Sequence, residues 1–314
     1  MQSLILRRFF VALLVMLTAS LLSFTLLYFA PGNPAEAILR QRTGNDPNFE
    51  EIALFMENHE LNKAYSSQCI QWMYMISRGD FGSSLKTGEP VLREFFGRFG
   101  ATAQLAVAAM VISLLLALPL GVLAAVRQNS LPDHVTRVVA LLGISIPEFW
   151  LGIMLMVLFS LILGWLPCFG SGTVKHFVLP VVTLGTGIAA ALARLTRAAM
   201  LEVLPLDYIK TARAKGLREP VIIWKHALKN ALIPVLTAFG SQLGHLMAGA
   251  VVVETVFSWP GIGKFLVDSI YARDYPVIQG FVFLVAAVFV LVNLLVDIAY
   301  YFLDPRVRFE KGWR

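Results

Sequence analysis

Long apolar runs without charge recur along the chain, spaced by short polar stretches. A helix rises about 1.5 Å per residue, so roughly 20 apolar residues cross about 30 Å of hydrocarbon. Six segments meet that description. The first runs from Phe9 to Ala30 and the second from Phe99 to Val126, neither carrying a charge. The third covers about 138 to 163 with Glu148 as its only charge, and the fourth runs from near His176 to Ala193, leaving the membrane past Arg194 and Arg197. Pro180, Gly185 and Gly187 predict that the fourth is bent or closely packed. The fifth runs from Asn230 to Val253 and the sixth from about Tyr275 to Val296. Asp297 and the pair Tyr300 and Tyr301 follow the sixth, and the tyrosines suit an interfacial belt. The first run is too long for a signal-peptide core of about 7–15 residues, and Ala30-Pro31-Gly32-Asn33-Pro34 is a poor cleavage site, so it reads as a retained anchor.

Composition agrees with this pattern. Of 314 residues 57% are hydrophobic and 15% charged, and the mean hydropathy is +0.71, outside the range of soluble domains. The fold class expected is an all-α polytopic membrane protein with six transmembrane helices. Its net charge of +6 fits loops near anionic lipid; no basic stretch interleaves with exposed aromatics, so nucleic acid is not an expected partner. Lysine and arginine set the orientation. With the N-terminus inside, Arg7, Arg8, Arg127, Arg137, the basic residues between Arg194 and Lys229, and Arg306, Arg308, Lys311 and Arg314 all face the cytoplasm, while the short outer loops hold only Lys175, Lys264 and Arg273. Both termini are then cytoplasmic. Cys69 and Cys168 form neither a C-x-x-C pair nor a regular framework.

Two pieces outside the membrane stand out. The outer segment 31–98 contains an amphipathic stretch, Phe49 to Leu61, and a turn at Gly79-Asp80-Phe81-Gly82. In the inner loop 200–229, Asp207 is a suitable N-cap, Tyr208 to Lys215 make about two helical turns, and Gly216 stands where a left-handed residue ends a helix. Flanked by two spans, this short helix is badly placed to bury Tyr208, Ile209 and Ala212 by itself. Either a partner protein covers them, or the helix lies on anionic headgroups with Lys210, Arg213 and Lys215 facing lipid.

The run Asp207-Tyr208-Ile209-Lys210-Thr211-Ala212-Arg213-Ala214-Lys215-Gly216-Leu217, followed by His226-Ala227-Leu228-Lys229-Asn230-Ala231-Leu232-Ile233-Pro234, closely resembles the cytoplasmic loop of binding-protein-dependent ABC permeases of the dipeptide, oligopeptide and nickel family. It departs from the general permease motif, which begins Glu-Ala-Ala, at Lys210 and Thr211, and has Lys229 for a later proline; both departures are typical of the peptide subfamily. Pro31-Gly32-Asn33-Pro34, Gly79 to Ser84, Glu254 to Gly263, Arg273 to Gln279 and Asp304-Pro305-Arg306 resemble further motifs of that family, in the same order.

The resemblance implies a type I importer permease fold. Residues 1–97 would be an anchor helix with a periplasmic segment, 98–302 the transmembrane domain, and 303–314 a cytoplasmic tail. Asp207, Tyr208, Thr211, Ala212, Arg213, Ala214, Lys215 and Gly216 would form the coupling helix that docks into an ATPase subunit. The implied partners are a second homologous permease, two cytoplasmic ABC ATPases, an extracytoplasmic solute-binding protein and membrane lipid. Residues 31–98 and 254–274 would meet the binding protein. The cargo would be di- or oligopeptides or a related small solute, with nickel or a metal chelate as the alternative.

The motor is expected in another chain. No G-x-x-x-x-G-K-[ST] loop is present: Gly261-Ile262-Gly263-Lys264 has Ser258 in place of the first glycine and ends in Phe265. No cofactor is expected on this chain, ATP and magnesium being used by the ATPases. Polar residues inside spans tend to face a cavity or a neighbouring helix; Gln104, Glu148, Gln242, His245, Asn293 and Asp297 are the candidates, with Gln242, His245 and Glu148 assigned to the translocation path. Glu148, between Pro147 and Trp150, also suits a helix bend or an interface. The five histidines fall in different segments and show no metal-ligand spacing. A proton-coupled secondary transporter, the alternative of another class, would carry inverted repeats with charges near the midplane, and a membrane enzyme would need a nucleophile with its base or a cluster such as H-E-x-x-H.

Overall fold

The structure is a computed structural model. It describes the backbone of residues 2–303, and the side chains of these except 2–9, 12, 245, 247, 248 and 297–303. The expectations for His245, Asp297, Tyr300, Tyr301 and the Asp304-Pro305-Arg306 tail lie outside the described residues.

Among the described residues the chain is helical, without a strand. The helices are α1 (Gln2–Tyr28), α2 (Pro34–Thr43), α3 (Phe49–Asn58), α4 (Tyr65–Ser77), α5 (Val91–Val126), α6 (Leu131–Ser145), α7 (Glu148–Met156), α8 (Val174–Val203), α9 (Asp207–Ala214), α10 (Glu219–Val221), α11 (Leu228–Val256), α12 (Ile262–Ala272) and α13 (Tyr275–Leu303). α7 runs on into a π-helical turn, Val157–Ile162, and a second such turn, Ile222–Ala227, leads into α11.

Val91–Val126, Val174–Val203 and Tyr275–Val296 are each long and apolar enough to cross a bilayer. The third expected span is broken. Its halves, Leu131–Ser145 and Glu148–Ile162, meet at 104°. The break falls at Ile146-Pro147, where extended backbone (ψ 124° and 136°) interrupts the helix; proline disfavours helical geometry in the residue before it and gives no amide hydrogen.

The described residues divide into two compact units, 2–100 with 261–291 and 101–260 with 292–303. In the second, α8 packs against α6, α7 and α11. Close packing is made possible by small residues, as its glycines predict. A Cβ on Gly185 would lie 3.1 Å from the Ala109 carbonyl, and one on Gly121 of α5 would lie 2.7 Å from the Ala193 carbonyl. Leu105, Leu184, Leu192, Val235 and Val253 fill the core around these contacts.

In the first unit, α2 is capped by Asn33, whose side chain accepts from the Ala35 amide, and α3 by the reciprocal Asn48–Glu51 pair. α3 accounts for the amphipathic stretch expected after Phe49. Ile38, Phe55 and Leu85 form a small core. α12 was not anticipated: Ile262 to Ala272 lies in a stretch read only as an outer segment, and its apolar residues alternate with Lys264, Asp268 and Ser269.

Candidate coupling helix and transport path

α9 occupies the stretch singled out in the sequence, with two corrections. Asp207 is not the cap but the first helical residue; Leu206 precedes the helix, and the Asp207 carboxylate accepts from Lys210 at 2.9 Å. The second concerns burial. Ile209 and Ala212, expected to need a partner's cover, are buried by the chain itself, against Val122 and Ala125 of α5, Met200 of α8, and Ile222 and Ala227. The sequence could not show that the ends of α5 and α8 converge under this loop. What remains exposed is Asp207, Tyr208, Lys210, Thr211, Arg213, Ala214, Lys215 and Gly216.

Four hydrogen bonds hold α9 in place. The Asn230 amide donates to the Tyr208 hydroxyl at 2.6 Å, and Arg213 Nε donates to Glu219 at 2.7 Å. At the far end the Gly216 amide reaches the Arg213 carbonyl and the Leu217 amide the Ala212 carbonyl, the paired bonds of a Schellman motif. Gly216 has the left-handed φ of +75° the sequence predicts, with open space where a Cβ would stand.

Close in sequence to the ends of α5 and α8 lies an ion pair that sequence reasoning missed. Asp133, fully buried, receives Arg197 Nε at 2.6 Å and Nη2 at 2.8 Å, the Asn129 amide at 2.9 Å, and Arg137 at 3.7 Å. It ties α6 to α8 by a planar two-bond fork. The available signal is an arginine inside α8, which the charge pattern reads as the cytoplasmic end of the fourth span and not as an ion-pair partner.

The candidate path residues are not gathered into one site. Glu148 opens α7 just after the break, as its neighbours suggest. Its carboxylate lies against the backbone of α11: a Cβ on Gly249 would sit 2.6 Å from Oε2. Gln242 is partly exposed seven residues earlier on α11. Gln104 faces elsewhere, onto an apolar groove of about 780 Å³ between α5 and α8, lined by Val107, Val111, Leu115, Phe177 and Val181.

The sequence motifs outside the spans prove to be joints. In the first unit, buried Asp274 accepts from the Ser84 hydroxyl, from the Leu85 amide at 3.0 Å and from the Lys86 amide at 3.2 Å, locking Arg273-Asp274-Tyr275-Pro276 to Gly79-Asp80-Phe81-Gly82-Ser83-Ser84. Gly32 of the Pro31-Gly32-Asn33-Pro34 turn has φ +104° and lies so close to Arg273 that a Cβ would overlap the guanidinium. In the second unit, fully buried Glu254 accepts from Thr102 at 2.5 Å, and Trp259 Nε1 donates to the Ala101 carbonyl at 3.1 Å.

Comparison with known proteins supports one family throughout. Residues 117–309 match the family described as binding-protein-dependent transport system inner membrane component, and residues 1–106 match the N-terminal region of such membrane components. The chain is 40% identical to the dipeptide transport system permease protein of Alkalihalophilus pseudofirmus, over 96% of this chain and 98% of the relative. It is 42% identical to the di/tripeptide transport system permease protein of Pseudomonas aeruginosa, over 99% and 100%, and 40% identical to the glutathione transport system permease protein of Salmonella choleraesuis, over 99% and 100%. Among solved structures, a chain of the MetNI methionine ABC transporter shares the fold, with a TM-score of 0.54 and 20% identity over 67% of this chain and 95% of that one. The chain therefore belongs to the inner-membrane components of binding-protein-dependent transport systems, and is a multi-pass permease subunit of an ABC importer.

Proposed function

We propose that this permease forms half of the translocation path of an importer for di- or oligopeptides, driven through α9 by a separate ATPase. The observation that carries the reading is the two-sidedness of α9. Ile209 and Ala212 are sunk in the chain's own core, while Tyr208, Lys210, Thr211, Arg213 and Lys215 are left outward. A helix fixed in that way moves with α5, α8 and α11 as one body when its outer face is pushed. An interfacial helix would insert its apolar residues into lipid, and here Ile209 and Ala212 are already buried by the chain itself.

The assembly proposed is two homologous permeases, two ATPases that use ATP and magnesium, and an extracytoplasmic binding protein meeting residues 31–98 and 254–274. The topology proposed has six spans, α1, α5, the broken α6–α7 pair, α8, α11 and α13, with both termini on the cytoplasmic side, where lysine and arginine concentrate. Gln242, His245 and Glu148 line the path. The peptide cargo rests on the names of the relatives, which are dipeptide, di/tripeptide and glutathione permeases.

Uptake of labelled dipeptide, glutathione and nickel in a strain lacking the gene tests the cargo. Loss of peptide uptake, restored by the gene, is expected with nickel uptake unchanged; loss of nickel uptake alone would overturn the peptide reading. Purification in mild detergent should bring down a second permease and two ATPase chains.

A further inference from the structure

α4 is unlike the other helices of the 31–98 segment. Its sequence, Tyr65-Ser-Ser-Gln-Cys-Ile-Gln-Trp-Met-Tyr-Met-Ile-Ser77, holds no charged residue in 13 positions. α2 and α3 carry Glu36, Arg40 and Arg42, and Glu50, Glu51 and Glu57. Yet α4 turns apolar side chains outward: Ile70 is 69% exposed, Met73 44% and Tyr74 55%. Positions 70, 73 and 74 share one helical face, so Ile70, Met73 and Tyr74 form a continuous apolar patch that would be costly to hold in water.

Its opposite face fixes its level. Tyr65 bonds Thr25 of α1 at 2.8 Å and stacks edge-on against Phe24 and Tyr28, and Trp72 packs on Phe24 at 5.8 Å between ring centroids. Phe24 is four residues short of the end of α1 at Tyr28, about 6 Å along the axis. α4 therefore lies beside the last turns of an apolar helix, not beyond them. α1 is exposed on that same length, at Leu22 (62%) and Leu26 (69%). Tyr65, Trp72 and Tyr74 are the residue types enriched at membrane–water boundaries. Arg78, the first residue after α4, lies 4.2 Å from the Tyr74 ring, where its guanidinium can reach phosphate.

We propose that α4 is an interfacial helix. Its Ile70–Met73–Tyr74 face lies in the bilayer surface at the C-terminal end of α1, in contact with the acyl chains and headgroups of membrane phospholipid. α4 would hold the 31–98 segment at a fixed height over the membrane while the spans tilt. The proposal rests on α1 being the first span.

The test is collisional spin-label accessibility in the whole importer reconstituted in phospholipid vesicles. Nitroxides are attached singly at positions 70 and 73, at Leu22 on α1 as the lipid reference and at Glu50 on α3 as the water reference, with Cys69 and Cys168 replaced by alanine. All four labelled side chains are outward-facing, so labelling leaves the packing intact, which retained peptide uptake checks. Positions 70 and 73 should favour oxygen over a nickel chelate severalfold, as Leu22 does. Chelate access equal to that at Glu50 would overturn the proposal, and so would shielding from both quenchers, which means a protein covers the face. If Leu22 itself favours the chelate, α1 is not a span, and that failure is separately visible.

Discussion

The Tyr208 hydroxyl at the head of α9 accepts a hydrogen bond from the Asn230 side chain in the first turn of α11, 2.6 Å away. It connects the outward face of the short helix to the base of a long one. Losing it should leave the fold intact, since a single hydrogen bond contributes about 1 kcal/mol, while loosening transmission. Tyr208→Phe and Asn230→Ala are each expected to raise the ATP consumed per peptide transported by about 2- to 5-fold, with normal membrane levels. Coupled uptake and hydrolysis in vesicles measure it.

At Gly216 only the backbone resists a side chain, because nothing stands within 4 Å of a Cβ there. A left-handed φ costs a non-glycine residue about 1–2 kcal/mol. Gly216→Val should therefore uncouple transport, Gly216→Ala should do so less, and Gly216→Asn should come nearest to the parent. Equal uptake by all three at equal membrane levels would show that the helix end is unimportant.

A Cβ on Gly249 would stand 2.6 Å from Glu148 Oε2, so the Glu148 carboxylate must move to admit a side chain there. Gly249→Ala is expected to reduce uptake by pushing the Glu148 carboxylate from its position against α11. Glu148→Ala should restore it in the double variant and Glu148→Gln, with the same bulk, should not. Rescue by the glutamine would instead point to charge.

The Asp133–Arg197 fork ties α6 to α8. Asp133→Ala leaves the Arg197 guanidinium without its partner, and the melting temperature of the detergent-solubilised complex should fall by about 3 °C. Replacing both residues by apolar ones of similar size should recover part of the loss. A double variant no better than the single would show that the arginine is not the reason.

Much of this architecture was legible in the sequence because hydrophobic length is a local property. α5 and α13 follow from long uncharged apolar runs, α8 from a shorter one, and the end of α9 from one glycine. What was not legible depends on distant partners. The break at Ile146-Pro147 carries a proline signal, but an apolar run passes over it unchanged. The burial of Ile209 and Ala212 requires α5 and α8 to end together beneath them. Asp274 and Ser84 are 190 positions apart, so the two motifs could be seen but not their junction. α12 was missed because its flanks, Trp259-Pro260-Gly261 and Arg273-Asp274, read as loop.

The central claim is that the outward face of α9 is gripped by the ATPase subunit. A photocrosslinking residue in place of Lys215, with one in place of Glu50 as the control, tests it in vesicles that take up peptide. Illumination should join position 215 to the ATPase chain, and position 50 should give no such product. No ATPase adduct from position 208, 210, 211 or 215 in an actively transporting complex would contradict the account.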